Sequence, residues 1–133
     1  MIAKILVAED DLENQRVICL RLSLMGASVT LARNGQEAVA HARAARDAGE
    51  PFHLVLMDMQ MPVLDGYEAT STLRSEGFRT PVVAVTAFTT PEDRDECLAF
   101  GCDAHVRKPV DWPALRALLN RLLEGEGEDA EAG

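Results

Sequence analysis

Short runs of apolar residues alternate with longer amphipathic segments along this chain of 133 residues. Apolar runs of this length, bounded by turn residues, are typical of strands that are buried on both faces. The amphipathic segments between them have helical length and spacing, so the pattern predicts five strands and five helices in strict alternation. Such alternation specifies a three-layer α/β domain with a parallel sheet and right-handed crossovers. The apolar runs cover residues 5–8, 29–32, 54–57, 82–85 and 104–106.

Cap and stop residues give the bounds of the predicted helices. The first helix begins near Asp10 or Asp11 and ends near Met25, before Gly26. We expect it to bury a wide apolar face, made of Val17, Leu20 and Leu24 together with Ile18, Leu22 and Met25. The remaining helices are predicted to start at the caps Asn34, Asp65, Thr90 and Asp111, with capping-box partners Glu37 and Glu68 for the first two. The stops are Gly49, Gly77 and Gly101, and the last helix presents Leu115, Leu118, Leu119 and Leu122 to the sheet.

Four residues with reactive side chains each follow a separate apolar run. They are Asp10, Asp58, Thr86 and Lys108. The carboxyl ends of parallel strands lie at one edge of a sheet, where ligands bind at the point of strand-order reversal. The spacing therefore predicts that these four side chains meet in one place.

The acids of this set point to a cation. Glu9, Asp10 and Asp58 would crowd at the ends of two neighbouring strands, and like charges so close repel unless a cation or raised pKa values relieve them. Mg²⁺ prefers one or two carboxylates plus a phosphate, so we expect Asp10 and Asp58 to bind it, with Glu9 reaching it directly or through water. On its own, the run 9–11 could equally be a helix N-terminus with favourable acidic charges.

The other two residues suit a phosphoryl group. The ammonium group of Lys108 would neutralise charge on an incoming phosphoryl group, and a cis bond to Pro109 would aim it back over the sheet. The hydroxyl of Thr86 could donate to a phosphoryl oxygen. Taken alone, Lys108 would be read as a solvated loop lysine and Thr86 as an ordinary strand threonine.

Composition and charge limit the possible functions. The formal net charge of −9 argues against direct binding to nucleic acid. Acids are concentrated in residues 124–133, which read as a disordered tail or an acidic interaction arm after a single domain at 1–123. No apolar run is long enough for membrane insertion and the start lacks a signal-peptide layout, so we expect a cytoplasmic protein. Cys19, Cys97 and Cys102 lack metal-ligand spacing and are expected to be reduced thiols.

Four motifs in order resemble the receiver domains of two-component response regulators. They lie at residues 5–11, 56–66, 83–87 and 108–109 and read ILVAEDD, LMDMQMPVLDG, VAVTA and KP. The resemblance implies a flavodoxin-like sheet of order 2-1-3-4-5. It also implies that Asp58 is the phospho-acceptor, that Glu9, Asp10, Asp58 and the backbone carbonyl of Gln60 hold Mg²⁺, and that Thr86, Ala87 and Lys108 contact the phosphate.

The resemblance further implies how such a domain would signal. A sensor histidine kinase or a histidine phosphotransfer protein would supply the phosphoryl group, and slow hydrolysis would remove it, so the domain would not act on a metabolite. Thr86 and His105 would switch, although His105 could instead be a plain half-exposed histidine. Gln60 and Phe88 would influence phosphoryl lifetime, and Phe88 could alternatively contact a partner. The downstream protein would bind the face of helix 4, strand 5 and helix 5, which includes Arg94, Cys97, Val106, Arg107 and Trp112. The domain would be a monomer or weak dimer.

The same residues also fit alternative assignments. A free-standing regulator is favoured by Met1 directly before the first strand, and the alternative is the receiver module of a hybrid histidine kinase. A Mg²⁺-dependent phosphohydrolase with an aspartate nucleophile would need a second acid at position 60, where Gln60 stands, and a cap domain. The third hypothesis is an adaptor that has the receiver shape and works without phosphorylation.

Overall fold

The computed structural model describes residues 2–87 and 90–124. Strands and helices alternate along it as predicted, and the strands form one parallel sheet in the order β2-β1-β3-β4-β5. The elements are β1 Lys4–Ala8, α1 Leu12–Leu24, β2 Ser28–Ala32, α2 Gly35–Asp47, β3 Leu54–Asp58, α3 Gly66–Ser75, β4 Val82–Thr86, α4 Pro91–Ala99, β5 Ala104–Arg107 and α5 Trp112–Glu124. Both the fold class and the strand order are confirmed.

The sheet separates two apolar clusters. Successive strand residues point to opposite faces, so Ile5 and Val7 pack on one side while Leu6 and Ala8 pack on the other. The first side is covered by α1 and α5 and the second by α2, α3 and α4. Every residue of β3 and β4 is buried, which explains why their sequences are continuously apolar.

The predicted helix caps are present, but only one reciprocal capping box forms within residues 2–87 and 90–124. Asn34 and Asp65 each accept a hydrogen bond from the backbone amide three residues later, as an N-cap does. The Glu37 carboxylate, however, bonds to the backbone and guanidinium of Arg33 rather than to the cap residue. The reciprocal pair joins Thr90 and Asp93 at the start of α4.

The wide apolar face predicted for α1 is wrong. Ile18 and Leu22 are buried, whereas Val17, Leu20 and Leu24 are exposed by 45%, 60% and 74%. At 3.6 residues per turn, the exposed set lies roughly 100–160° around the helix from the buried one. A helix on one face of a sheet buries a single stripe, and the stripe of Ile18 and Leu22 contacts the sheet.

Two glycines allow the loop after β3 to pack tightly. A Cβ on Gly66 would lie 2.4 Å from the carbonyl oxygen of Asp58, and one on Gly35 would lie 2.2 Å from the carbonyl oxygen of Leu64. The amide of Gly35 donates to that same Leu64 oxygen at 2.9 Å. Within this loop, Val63 has a φ of 70°, which is unusual for a β-branched residue. The loop is thereby held against both β3 and α2.

Some expectations fall on residues that the structure does not describe. Phe88 and residues 125–133 are among them, so the roles of Phe88 and of the acidic tail, and the domain boundary, stay predictions. Cys97 and Cys102 are buried free thiols and Cys19 is a half-buried one, in keeping with the expectation for them. No helix in the described part of the chain has both the length and the apolar character that a membrane crossing requires.

Candidate functional site

The ends of four strands bring the predicted site residues together. Asp58 and Thr86 are the last residues of β3 and β4, and Glu9 and Lys108 directly follow β1 and β5. In the sheet, β3 lies between β1 and β4, and Asp58 is paired with Val85, the residue before Thr86. The predicted convergence at one edge of the sheet is therefore present.

Three carboxylates form the acidic part of the site. Glu9, Asp10 and Asp58 each offer an oxygen, and these oxygens lie within 4.8 Å of one another. Glu9 and Asp58 are 2% exposed, while Asp10 is open to solvent. Oxygen donors of this kind, one of them facing water, could hold a hard divalent cation.

Lys108 contacts the two buried acids of this cluster. Its Nζ is 3.1 Å from Oδ2 of Asp58 and 3.7 Å from Oε1 of Glu9. Burial alone would lower the pKa of Lys108, but its hydrogen bond to Asp58 and the surrounding carboxylates together raise the pKa above the ordinary value. The Lys108–Pro109 peptide bond is cis. The lysine is therefore a cation held against the carboxylates.

Both oxygens of Asp58 have a fixed partner. Oδ2 accepts from Lys108, and Oδ1 accepts from the backbone amide of Gln60 at 3.0 Å. The carboxylate is therefore fixed in orientation, with a donor on each oxygen. Such a group is positioned to act as a nucleophile without reorganising.

Glu9 has an unusual environment. Burial raises the pKa of Glu9 to about 7, and the nearby Asp58 carboxylate adds to the rise. The backbone amide of Asp11, which donates to Oε2 of Glu9 at 3.0 Å, has the opposite effect and lowers the pKa. The buried side chain of Gln15 donates to the backbone carbonyl of Glu9 at 2.7 Å. We did not predict this contact, although an amide on the same helical stripe as Ile18 and Leu22 was the available signal.

Thr86 and Gln60 also interact directly. The side-chain amide of Gln60 donates to Oγ1 of Thr86 at 3.0 Å, and Thr86 is fully buried. Gln60 was predicted to bind the metal through its backbone carbonyl and to influence phosphoryl lifetime, but its side-chain bond to Thr86 was not predicted. Ala87 follows Thr86 and is exposed at the same edge of the sheet.

Two residues with predicted signalling roles lie away from the carboxylates. His105 is half-buried in β5 and lines a groove between α4 and α5. Trp112 is partly buried against the α1–α5 side of the core, with the guanidinium of Arg21 5.5 Å from its ring centroid. Neither residue lies among the acids, so any contribution from them concerns switching or packing.

The arrangement can be compared with known proteins. The family model of the response regulator receiver domain matches residues 5–120. This chain belongs to that family. Receiver domains are signalling phospho-acceptors of response regulators and of hybrid kinases, and they are not metabolic enzymes.

Curated relatives place this receiver domain among proteins of very different size. The two-component response regulator ORR41 of Oryza sativa subsp. japonica is 40% identical over 121 residues, which cover 90% of this chain and 93% of ORR41. The osmosensing histidine protein kinase SLN1 of Saccharomyces cerevisiae is 39% identical over 121 residues. That match covers 90% of this chain but 10% of SLN1, so the receiver domain corresponds to about a tenth of the kinase.

Solved receiver structures share the fold. The receiver domain of the sensor histidine kinase PA1611 from Pseudomonas aeruginosa, which has a magnesium ion coordinated in its active-site cleft, superposes with a TM-score of 0.82 at 36% identity over 93% of this chain and 99% of that one. The co-crystal structure of the Saccharomyces cerevisiae phosphotransfer protein Ypd1 and the receiver domain of Ssk1 gives a TM-score of 0.75 at 34% identity, covering 86% of this chain and 84% of that one.

Proposed function

We propose that this receiver domain accepts a phosphoryl group on Asp58 from a phosphohistidine of a sensor kinase or a histidine phosphotransfer protein, in the presence of Mg²⁺. The observation that carries the proposal is the position of Asp58. Its buried carboxylate lies 3.1 Å from the Lys108 ammonium and within 4.8 Å of the oxygens of two further acids. The site thus combines a nucleophile, a cation and a further cation-binding set.

The transfer needs little covalent machinery. An oxygen of the Asp58 carboxylate attacks phosphorus, the phosphorus–nitrogen bond of the donor breaks, and the imidazole leaves with the electron pair. Phosphoryl transfer depends mainly on in-line positioning and on neutralising charge on the phosphoryl oxygens. Lys108 is already within hydrogen-bond distance of Asp58, so it can follow the charge onto the phosphoryl group.

The acidic cluster fits Mg²⁺ by its donor chemistry. Glu9, Asp10, Asp58 and the backbone carbonyl of Gln60 would hold the ion, and all four donors are hard oxygens. When bound, Mg²⁺ would supply positive charge against the phosphoryl oxygens. The PA1611 receiver with magnesium in its cleft supports this assignment.

The signal would be read out at a distance from Asp58. The new phosphoryl oxygens would be contacted by Lys108, Thr86 and the exposed backbone at Ala87, and His105 would respond from the neighbouring strand β5. A downstream protein would bind the face formed by α4, β5 and α5. Attack of water on the aspartyl phosphate would release inorganic phosphate and restore the carboxylate. The same chemistry would serve a single-domain regulator or a hybrid-kinase receiver.

Intact-protein mass spectrometry tests the acceptor directly. After incubation with Mg²⁺ and acetyl phosphate, we expect the wild type to gain one base-labile phosphoryl group and Asp58→Ala to gain none. Asp11→Asn is the matched control because Asp11 caps α1 through its side chain, and asparagine caps a helix equally well. It removes a neighbouring carboxylate and should still be phosphorylated.

The outcomes separate the hypotheses. Phosphorylation of Asp58→Ala would place the acceptor elsewhere and overturn the proposal. If the wild type gains nothing from acetyl phosphate and nothing from phosphorylated histidine donors, the domain works as an adaptor. Omitting Mg²⁺, with EDTA present, should reduce the yield strongly if the acids hold the ion.

A further inference from the structure

A groove of about 630 Å³ runs along the face formed by α4, β5 and α5. Its floor is largely apolar, with Val106, Leu115 and Leu118 among its lining residues. Its rim carries three arginines, one from each element, namely Arg94, Arg107 and Arg121. The groove thus presents positive charge in a chain whose formal net charge is −9.

None of these three arginines forms an ion pair or a hydrogen bond within residues 2–87 and 90–124. All three are exposed. Elsewhere in the described chain, Arg33, Arg43, Arg46 and Arg74 are paired with acids. Among the described residues, Arg16, Arg79 and Arg116 also lack an ion pair, but none of them lines this groove, which brings together three such arginines from three elements.

Two acids, Asp103 and Asp111, also line the groove, and each has a hydrogen-bond partner of its own. Asp103 bonds to the guanidinium of Arg74 and to the amide of Val82, and Asp111 accepts from the amide of Ala114 at the start of α5. Asp93 and Glu96 line a different depression, beside Asp10 and Gln60. The described residues thus leave the groove's arginines available to an acidic occupant.

We propose that the occupant is the acidic tail of the same chain. Residues 126, 128, 129 and 131 are Glu, Glu, Asp and Glu, and they follow Arg121 by no more than ten positions. Charge is complementary, with four acids in the tail and three arginines on the rim. The tail would act as a displaceable cover of this face.

The geometry permits this return. The groove extends from Arg107, at the end of β5, to Arg121, in the last turn of α5. A helix of 13 residues is about 20 Å long, and the nine residues after Glu124 can reach about 30 Å when extended. The tail can therefore run back along the whole groove.

The cover is weak by nature. Exposed ion pairs contribute little each, and salt screens them, but a tethered segment acts at a millimolar effective concentration. A cover present about two-thirds of the time would weaken binding of a competing acidic ligand roughly three-fold. The consequence rests on the proposed function, since the covered face is the one assigned to the downstream protein. A partner with an acidic, amphipathic segment would displace the tail.

The test uses the full chain without a phosphodonor, so it is independent of the chemistry at Asp58. Backbone amide and guanidinium NMR signals of the wild type are compared with those of a neutral-tail variant, Glu126→Gln, Glu128→Gln, Asp129→Asn and Glu131→Gln. We expect shifts at Arg94, Arg107 and Arg121, and we expect 0.5 M NaCl to abolish them. Shifts confined to the tail and to the last turn of α5 would overturn the proposal.

Charge-matched variants separate docking from general attraction. The groove triple Arg94→Gln, Arg107→Gln and Arg121→Gln should change the tail amide signals, whereas the control triple Arg16→Gln, Arg79→Gln and Arg116→Gln should leave them as in the wild type. The control arginines are also exposed and form no ion pair in the described ranges. Equal effects of the two triples would contradict docking in the groove.

A hexaglutamate peptide serves as the competing ligand. It should bind the neutral-tail variant about three-fold more tightly than the wild type, and the groove triple should abolish that difference. Equal affinity for the wild type and the neutral-tail variant would show that the tail does not cover the groove.

Discussion

At the scale of single residues, Glu9 makes the metal-free protein sensitive to pH. Its pKa rises from 4.5 to about 7 on folding, chiefly through burial. Between these values the folded protein holds a proton that the unfolded chain has released, so this group's contribution to the free energy of unfolding falls as pH rises. A pKa shift of this size corresponds to a change of about 3 kcal/mol in the contribution of Glu9 to the free energy of unfolding.

We therefore expect Glu9→Gln to become progressively more stable than the wild type as pH rises from 4.5 to 7.5 in EDTA. Urea denaturation at several pH values measures the difference. Glu13→Gln, which changes an exposed acid in the first turn of α1, should show no comparable trend. A difference that does not vary with pH would contradict the environment described for Glu9.

Val63 is a second residue with a measurable effect, because its backbone conformation lowers the free energy of unfolding. It has a φ of 70°, and the amide of Leu64 donates to the carbonyl of Pro62 at 2.8 Å across it, which is a classic γ-turn. A β-branched residue is strained at positive φ, which asparagine adopts far more readily. Because Val63 is 75% exposed, replacing it loses little buried area.

Val63→Asn should therefore raise the free energy of unfolding by about 0.5–1 kcal/mol. Thermal and urea denaturation measure the change. Val17→Asn, at an exposed helical valine, should not stabilise. Loss of stability at Val63→Asn would mean that the valine side chain makes a favourable contact.

Sequence reasoning found the residues that meet at the site but not all the bonds between them. Glu9, Asp58, Thr86 and Lys108 follow or end strands, so the topology of a parallel sheet alone brings them together. The bonds from Gln15 to Glu9 and from Gln60 to Thr86 depend on side-chain rotamers. Rotamers are chosen by the packed surroundings, which a sequence pattern does not contain.

At the scale of elements, caps and stops located all five helices to within a few residues. The error in α1 concerned orientation. The helix has apolar residues on two sides, and periodicity could not say which side contacts the sheet. The packing against β-strands and α5 decides that Ile18 and Leu22 point inward while Leu20 and Leu24 face solvent.

Arg74, at the end of α3, joins several elements through one planar guanidinium. It donates to the carboxylate of Asp103 and to the backbone carbonyls of Gly101, Phe78 and Thr80. Lysine cannot reproduce this fork of donors, so Arg74→Lys should lower the free energy of unfolding by about 2–3 kcal/mol. Arg79→Lys, at an exposed arginine without an ion pair among the described residues, should change it little. Chemical denaturation measures both variants, and equal stabilities would contradict the role of the fork.

At the scale of the whole molecule, cation binding should stabilise the fold. Three carboxylates within 4.8 Å repel one another, and a bound divalent ion reverses this. At a Mg²⁺ concentration ten times its dissociation constant, the free energy of unfolding should rise by about 1.4 kcal/mol. Asp10→Asn should lose most of this gain and Asp11→Asn should keep it. A Tm that does not respond to Mg²⁺ at pH 8 would contradict a metal site.

The architecture as a whole was predictable because the same alternation of apolar runs and capped helices recurs along the whole domain. Apolar runs of three or four residues separated by capped helices leave few topologies other than a parallel α/β sheet. The strand order came from the resemblance of four motifs, since alternation alone does not fix which strands are neighbours. Charge distribution was visible in composition, but the grouping of arginines on the α4–β5–α5 face needed three elements to be placed together.

The parallel sheet also gives the molecule two ends of different character. Strands end and helices begin at the edge with the carboxylates, whereas helices end and strands begin at the opposite edge, at turns such as Gly26 and Gly49. A linker or a fused domain joined at that opposite edge would be separated from the carboxylates by the full length of the strands. An extension at that edge would therefore leave the geometry of the carboxylates unchanged.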